Sequence, residues 1–460
     1  MPRTKSLFLF KTNIRHILLL GSGFVAKPCL DYLARRPENK ITVACRTLEK
    51  AQILCKDIPS AHPISLDVTN SQDLDILVAK NDIVVSLIPY IFHVDVIKSA
   101  IKMKTNVVTT SYISPAMQHL DQAAKDAGIV VLNEIGLDPG LDHLFAIKTI
   151  DKVHQQGGKI KSFLSYCGGL PAPENSDNPL GYKFSWSSRG VLQALLNPAK
   201  FWENNTIVQI PGDQLMKFAQ PYFIFPGFAF VAYPNRDSSF YKERYQIPEA
   251  ETIIRGTLRY QGFPEFIKVL VDIGLLDDTE CDIWKTNIPW NHALSKTLGS
   301  ASPSEKDLIQ AISSKTSFNS AAEKARIVDG LRWLGLFSST PITPRNNPLD
   351  TLCATLESLM HYEKGERDMV MLQHRFQVEL QDGTLETQNC TLLEFGKVDG
   401  YTAMAKLVGT PCAIATSLIL DGILNIHGVW APTTSLTVEP LLRELEKEGI
   451  TCKENIVRHG

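Results

Sequence analysis

Two glycines break an apolar run and open an amphipathic one near the start of this chain, and that break constrains the fold more than any other feature. Ile17–Leu20 is apolar throughout and reads as a buried strand. Gly21-Ser22-Gly23-Phe24-Val25-Ala26 follows, and the next residues carry Val25, Cys29, Leu30 and Leu33 to one helix face. Ile41-Thr42-Val43-Ala44-Cys45 reads as a second strand. Strand, glycine turn, helix and strand form a βαβ unit with the pattern G-x-G-x-x-A, which implies a bound dinucleotide. Gly21 permits the tight turn, Gly23 lets the backbone approach a pyrophosphate, and the small Ala26 lets helix and strand pack closely. The N–H groups of the helix start then face the phosphates. A glycine pair outside such flanks is only a tight turn in a parallel sheet.

The end of the second strand selects the nucleotide. An Asp or Glu there accepts from the ribose 2′-OH of NAD. This chain has Cys45-Arg46-Thr47, with Lys50 one turn on. Arg46 and the Thr47 hydroxyl can donate to a 2′-phosphate, and charge-assisted bonds of that kind are worth about 1.5–3 kcal/mol each. The expected cofactor is NADP(H).

A chain of 460 residues is too long for one core, so two or three domains are expected. Its composition is 44% hydrophobic and 21% charged with a formal net charge of −2, which gives no hint of a nucleic-acid partner, since that would want a basic face. No uninterrupted apolar run has the length of a membrane span. The segment MPRTKSLFLFKTN reads as a short leader without a signal-peptide pattern. The nine cysteines are scattered with no C-x-x-C pair, which argues against a disulfide framework or a zinc site and makes the cytoplasm the default location.

Downstream, Asp82–Pro89, Asn106–Tyr112 and Gly128–Glu134 read as further strands apolar on both faces, with helical patterns at Val94–Met103 and Pro115–Ala127. That order describes a doubly wound parallel sheet. Ligands of such sheets bind beyond the strand C-termini. Those ends carry Asp67-Val68, Ser86 to Pro89, Thr110-Ser111-Tyr112 and Glu134 to Gly140. From residue 138 to about 261 the texture loosens into Gly-, Pro- and Ser-punctuated strands. From Pro264 to about Tyr362 the period is helical, as expected of a small all-helical insertion. His374–Leu380 alternates as a strand, and Ala403 onward reads as a buried helix.

The phrases GSGFVA, ACRT, SLIPY, TTSY, NEIGLDPGLDH, YCGGLPAP, KFSWSSRG, RGTLRYQGFPE and GTPCAIAT stand in this order along nearly the whole chain. Together they resemble the saccharopine dehydrogenases of the glutamate-forming kind, also called saccharopine reductases. The resemblance implies an α/β fold: a Rossmann doubly wound parallel sheet, a second mixed α/β substrate domain and the helical insertion. The expected boundaries are 1–137 plus about 395–460 for the dinucleotide domain, 138–261 plus about 366–394 for the substrate domain, and 262–365 for the helices. The implied reaction is NADPH-dependent reduction of the imine between L-glutamate and 2-aminoadipate 6-semialdehyde to saccharopine. It is reversible, acts on a CH–NH group and belongs to lysine biosynthesis by the 2-aminoadipate route. Two alternatives stay open: a related NAD(P)H-dependent imine or amine oxidoreductase with another amine, and an inactive NADPH-binding protein. The expected partners are these small molecules, with no nucleic acid and no membrane, and a homodimer is one oligomeric alternative.

For NADPH, the resemblance and the strand ends agree on Gly21, Ser22, Gly23, Phe24, Val25, Arg46, Thr47, Asp67, Val68, Ser86, Leu87, Ile88 and Pro89. Leu137, Asp138 and Pro139 are expected to border the nicotinamide, with Trp186 as a further contact. Substrate carboxylates call for arginine forks, here Arg236 and Arg259. By resemblance these hold substrate together with Thr257, Leu258, Ser111, Tyr112 and Asp138. For proton handling the candidates are Asp138, Tyr112, Cys167 and His143, with an ordered water as relay. Asp138 has the alternative of capping a helix, and His143 that of a satisfied core histidine. No metal site is expected.

Overall fold

A computed structural model describes residues 14–185 and 187–459. The proposed leader and Trp186 lie outside the described residues. The chain forms two units, one of residues up to 148 with 405–451, the other of 149–404 with the C-terminal residues from 452.

The first unit is built on a seven-stranded sheet. Its strands are β1 (Arg15–Leu20), β2 (Asn39–Cys45), β3 (Ala61–Ser65), β4 (Ile83–Ser86), β5 (Asn106–Thr109) and β6 (Val130–Leu132). The strand Gly428–Trp430 completes it beside β6. The spatial order is Gly428–Trp430, β6, β5, β4, β1, β2, β3, with every pairing parallel. The order therefore reverses between β1 and β4, where open α/β sheets bind their ligands. Leu18, Leu20, Val84, Val107 and Val131 join helix residues such as Val96, Ile97 and Ala100 in one apolar cluster. Sequence periodicity misses β3 because AHPIS is a half-exposed edge strand with a proline, so it carries little apolar signal.

The helix Ala403–Leu420 carries the chain back to this unit. Taken whole, it is long and apolar enough to cross a membrane, but 78% of it is buried inside the protein. Its small residues have a packing reason. A side chain at Gly409 would collide with Val25 O and come within 3.0 Å of Cys29 N, so the helix crosses the first turn of Ala26–Ala34 at backbone distance.

The second unit holds a nine-stranded mixed sheet. Along its main path run Gln220–Pro221, Phe230–Pro234, Thr252–Tyr260, Lys159–Pro171, Asp368–Glu379, Leu385–Phe395 and Lys453–His459. Among the described strands of this sheet, Thr252–Tyr260 and Lys159–Pro171 alone pair in parallel. The helices Phe263–Asp272, Trp290–Leu298, Glu305–Lys315, Ala321–Trp333 and Pro348–Leu359 make up the insertion. Phe266, Leu270, Leu308, Ile312, Ile327 and Leu331 share one core with Tyr166, Leu170 and Phe230 of the sheet.

Two expectations need correction. The terminal segment does not stay wholly with the first unit, because Lys453–His459 pairs antiparallel with Leu385–Phe395 of the second sheet. That pairing also brings Cys452 to Cys390, 62 residues away in sequence, with Cα atoms 5.7 Å apart and the sulfurs joined as a disulfide. Scattered spacing carries no signal for a contact made by strand pairing over such a distance. The other seven cysteines are thiols.

Candidate active site

The glycine turn sits at the sheet's switch point. Gly21 has φ +105°, and a Cβ there would lie 2.6 Å from Leu87 O. Its glycine character thus serves the close approach of the β1 and β4 ends as well as the turn. Gly23 differs, because no protein atom lies within 4 Å of its would-be Cβ. Nothing in the fold requires glycine at 23, and the free space fits a pyrophosphate. The helix Ala26–Ala34 has no acidic residue in its first turn, so its N–H groups keep their affinity for anions. Ser22 and Val25 are half-buried beside them, and Phe24 is exposed.

At the end of β2, Arg46 and Thr47 are both exposed. Thr47 is the N-cap of the helix Leu48–Cys55 but makes no side-chain cap bond, which leaves its hydroxyl for a ligand. Asp67 is exposed at the neighbouring strand end, with Val68 half-buried. Hydrogen bonds from the Thr69 N–H and hydroxyl, with a smaller pull from Arg46, hold the Asp67 carboxyl below its ordinary range. An arginine, a hydroxyl and a helix start gathered here suit a 2′-phosphate on the ribose.

At the end of β4, Leu87 and Ile88 are half-buried and Pro89 is exposed. Ser86 is wholly buried, with its Oγ 2.9 Å from His93 Nδ1, so it exposes no surface for the expected cofactor contact. His93 Nε2 in turn lies 2.8 Å from Ser111 Oγ. Burial pushes the His93 pKa down to about 4, so the ring is neutral at physiological pH.

The turns after β5 and β6 meet. Tyr112 donates its hydroxyl proton to Asp138 Oδ1 at 2.7 Å. Both residues are half-buried, whereas Leu137 and Pro139 are buried. Behind this pair lies a wholly buried network. Glu134, at a left-handed φ of +60°, accepts from the Ile113 N–H at 2.9 Å. Its other oxygen is 2.8 Å from His143 Nε2. Asp142 lies 3.5 Å from His143 Nδ1 and accepts from the Gly140 N–H at 2.6 Å. His143 therefore braces the turns that present Tyr112 and Asp138. Sequence reading missed the structural weight of His93 and Glu134. For each, the available signal was a polar residue at the edge of an apolar run, next to a strand end.

In the second unit, Thr257 and Arg259 alternate onto one face of Thr252–Tyr260, and Cys167 is the parallel register partner of Thr257. Leu258 points the other way into the core and is wholly buried, and its carbonyl accepts from Arg259 Nη1 at 2.8 Å. The Arg259 guanidinium lies over the Tyr182 ring at 4.9 Å and the Phe263 ring at 5.3 Å. It is buried, its Nε has no hydrogen-bond partner, and no ion pair reaches it among the described residues. A buried cation without a counter-charge is costly unless a ligand supplies one. Arg236 is exposed in a left-handed turn at φ +53°, just past the strand Phe230–Pro234. Its neighbour Asn235 donates to Thr257 Oγ1 at 2.7 Å, tying that turn to the Thr257 strand.

The first unit is thus a pyridine-nucleotide domain of the NADP type, and the second carries a buried arginine, Arg259, and an exposed one, Arg236, both suited to carboxylates. A nucleotide unit and a unit with carboxylate-directed arginines are the parts of an NADP-dependent oxidoreductase for an anionic substrate. The saccharopine dehydrogenase NADP binding domain matches residues 17–132, and the saccharopine dehydrogenase C-terminal domain matches residues 136–450. The chain is 61% identical over 447 residues to the saccharopine dehydrogenase [NADP(+), L-glutamate-forming] of Pyricularia oryzae, covering 96% of this chain and 99% of that one. It is 60% identical over 444 residues to the protein of the same name from Schizosaccharomyces pombe, with the same two coverages. The solved structure of the apo, histidine-tagged, L-Glu-forming saccharopine dehydrogenase of Saccharomyces cerevisiae superposes with a TM-score of 0.90 at 58% identity, covering 96% of this chain and 100% of that one. The chain belongs to the saccharopine dehydrogenase family.

Proposed function

We infer that this chain is an NADP-dependent saccharopine dehydrogenase of the L-glutamate-forming kind, acting in lysine biosynthesis by the 2-aminoadipate route. In the biosynthetic direction the glutamate amine condenses with the aldehyde of 2-aminoadipate 6-semialdehyde, water leaves, and the imine is reduced to the secondary amine of saccharopine. NADPH, when bound, supplies the hydride for that reduction. The protein's own residues bind, orient and handle protons. Gly23, the N–H groups at Ala26–Ala34, Arg46 and Thr47 suit the phosphates. Arg259, Thr257 and Arg236 suit the substrate carboxylates. Asp138 and Tyr112 suit the amine, as a carboxylate for a cationic nitrogen and a hydroxyl for proton exchange, and Cys167 remains a further proton-handling candidate. The geometric observation that carries this reading is Arg259, a buried guanidinium whose counter-charge a substrate carboxylate would supply.

The test is incubation with saccharopine and NADP+, following the appearance of NADPH absorbance. Turnover of saccharopine supports the reading. Silence at both neutral and alkaline pH, or preference for another amine, would overturn it. We also propose a cytoplasmic location, supported by seven cysteines kept as thiols, and a homodimer, supported by the exposed terminal strand Lys453–His459 at the edge of its sheet. Cell fractionation and light scattering check these two.

A further inference from the structure

The imidazole of His93 joins two strand ends that the proposed site uses. His93 opens the helix His93–Met103, directly after the β4 turn, and is 1% exposed. Its Nδ1 is 2.9 Å from Ser86 Oγ, and its Nε2 is 2.8 Å from Ser111 Oγ. Thr109 Oγ1 sits 3.1 Å from the same Nε2 and accepts from the Ser111 N–H at 3.3 Å. Ser86 is the last residue of β4, and Ser111 follows the end of β5. The ring is therefore surrounded by three hydroxyls with no carboxylate among its hydrogen-bond partners, and it sits where a parallel sheet meets its ligand.

A neutral imidazole has one N–H and one acceptor nitrogen, and a serine hydroxyl has one proton and two lone pairs. Which nitrogen carries the proton decides what Ser111 shows to a ligand. If Nε2 accepts from Ser111, the nearer of its two hydroxyl neighbours, the Ser111 proton points inward, and a substrate carboxylate would meet only lone pairs. If Nε2 donates, the Ser111 proton is released outward.

We propose that His93 is a positioning residue: Ser86 donates to Nδ1, the Nε2–H donates to Ser111 Oγ, and the Ser111 O–H is thereby presented to a carboxylate of the amino-acid substrate. The proposal rests on the reading of Ser111 as a substrate contact. The other tautomer would make the same pocket reject an anion, so the ring acts as a selector for carboxylate and not only as a spacer between strands.

The test uses His93→Asn, His93→Gln, Ser111→Ala and the His93→Asn/Ser111→Ala pair in the full chain, with saccharopine KM, kcat, the NADPH Kd and Tm measured for each. A glutamine amide can reach the Nε2 position and an asparagine amide only the Nδ1 position. His93→Asn should raise the saccharopine KM about tenfold to a hundredfold, the worth of one hydrogen bond to a charged group. The NADPH Kd should stay within about twofold, less than any single hydrogen bond is worth. His93→Gln should recover most of the KM, and the double variant should be no worse than Ser111→Ala. Equal KM losses in the glutamine and asparagine variants, additive losses in the double variant, or a parallel loss of NADPH affinity would overturn the proposal. Should His93→Asn fail to fold, His93→Gln decides alone, since a KM as poor as that of Ser111→Ala contradicts the donor role. Failure of the underlying reading looks different: Ser111→Ala would then turn over saccharopine with an unchanged KM, which sinks the Ser111 assignment and the His93 role together.

Discussion

The Tyr112 hydroxyl donates to Asp138 across 2.7 Å, although the two residues leave different strands and stand 26 positions apart. Because the phenol has one proton and the carboxylate takes it, the two act as a unit. Asp138→Asn should lower kcat by about 10²-fold or more, in the range of a lost proton-handling group. Tyr112→Phe should cost about tenfold. The double variant should match Asp138→Asn alone, since without the Asp138 charge the phenol no longer has a carboxylate to pass its proton to. Steady-state kinetics on all three checks this; multiplicative losses would show the residues act separately.

Gly21 and Gly23 should fail in opposite ways when each becomes alanine. At Gly21 the new Cβ meets Leu87 O at 2.6 Å with φ at +105°, so the fold should lose roughly 1–3 kcal/mol or more. At Gly23 the Cβ meets no protein atom within 4 Å. Stability there should stay within about 0.5 kcal/mol, as for surface changes, while NADPH affinity falls because the methyl fills the pyrophosphate's place. Urea denaturation and fluorescence titration with NADPH separate the two effects.

Arg46→Ala should weaken NADP(H) binding by about tenfold to a hundredfold and leave NAD(H) nearly unchanged, because only the former has the 2′-phosphate that Arg46 would pair. Dissociation constants for both nucleotides give the answer. Equal losses would mean that Arg46 only packs against the adenine.

Arg259→Met should separate function from stability. The guanidinium is buried and lacks an ion-pair partner among the described residues, so replacing it by an apolar chain of similar length removes an uncompensated charge. Tm should hold or rise, while the saccharopine KM increases by about a hundredfold. A fall in both would assign Arg259 to the fold instead.

Asp421 accepts from Arg15 at 2.7 Å and from Arg36 at 2.8 and 2.9 Å, linking the end of the returning helix to the first βαβ unit. Burial pushes its carboxyl up, but the hydrogen bonds from Arg36 and Arg15 outweigh it and leave the group below its ordinary 3.8. A carboxyl lowered in the fold stabilises fully above its unfolded value, and that stability is lost as pH falls through the folded value. Asp421→Asn should therefore cost about 1 kcal/mol or less near neutrality, given solvent screening. The variant and the parent should converge as the pH drops below about 3.8. Tm against pH for both proteins measures it.

The first βαβ unit, the NADP preference and the helical middle were legible in the sequence because they are local. A glycine pair between a strand and a helix, an arginine in place of a carboxylate, and an apolar period each act within a few residues. Sequence also singled out Tyr112, Asp138, Thr257 and Arg259 as site candidates, through phrases that keep those residues in fixed local company. What only the tertiary structure decided depends on contacts between distant segments. Leu87 O determines why Gly21 must be glycine, and Val25 O does the same for Gly409. Strand pairing sends Lys453–His459 to the second sheet and joins Cys390 to Cys452. Three hydroxyls from two strand ends converge on His93, and Glu134 reaches across the turns to Ile113 and His143. Periodicity and motif spacing carry information about neighbours along the chain. A hydrogen-bond network or a Cβ-sized gap is set by which segments the fold brings together, and that depends on the packing of the whole core.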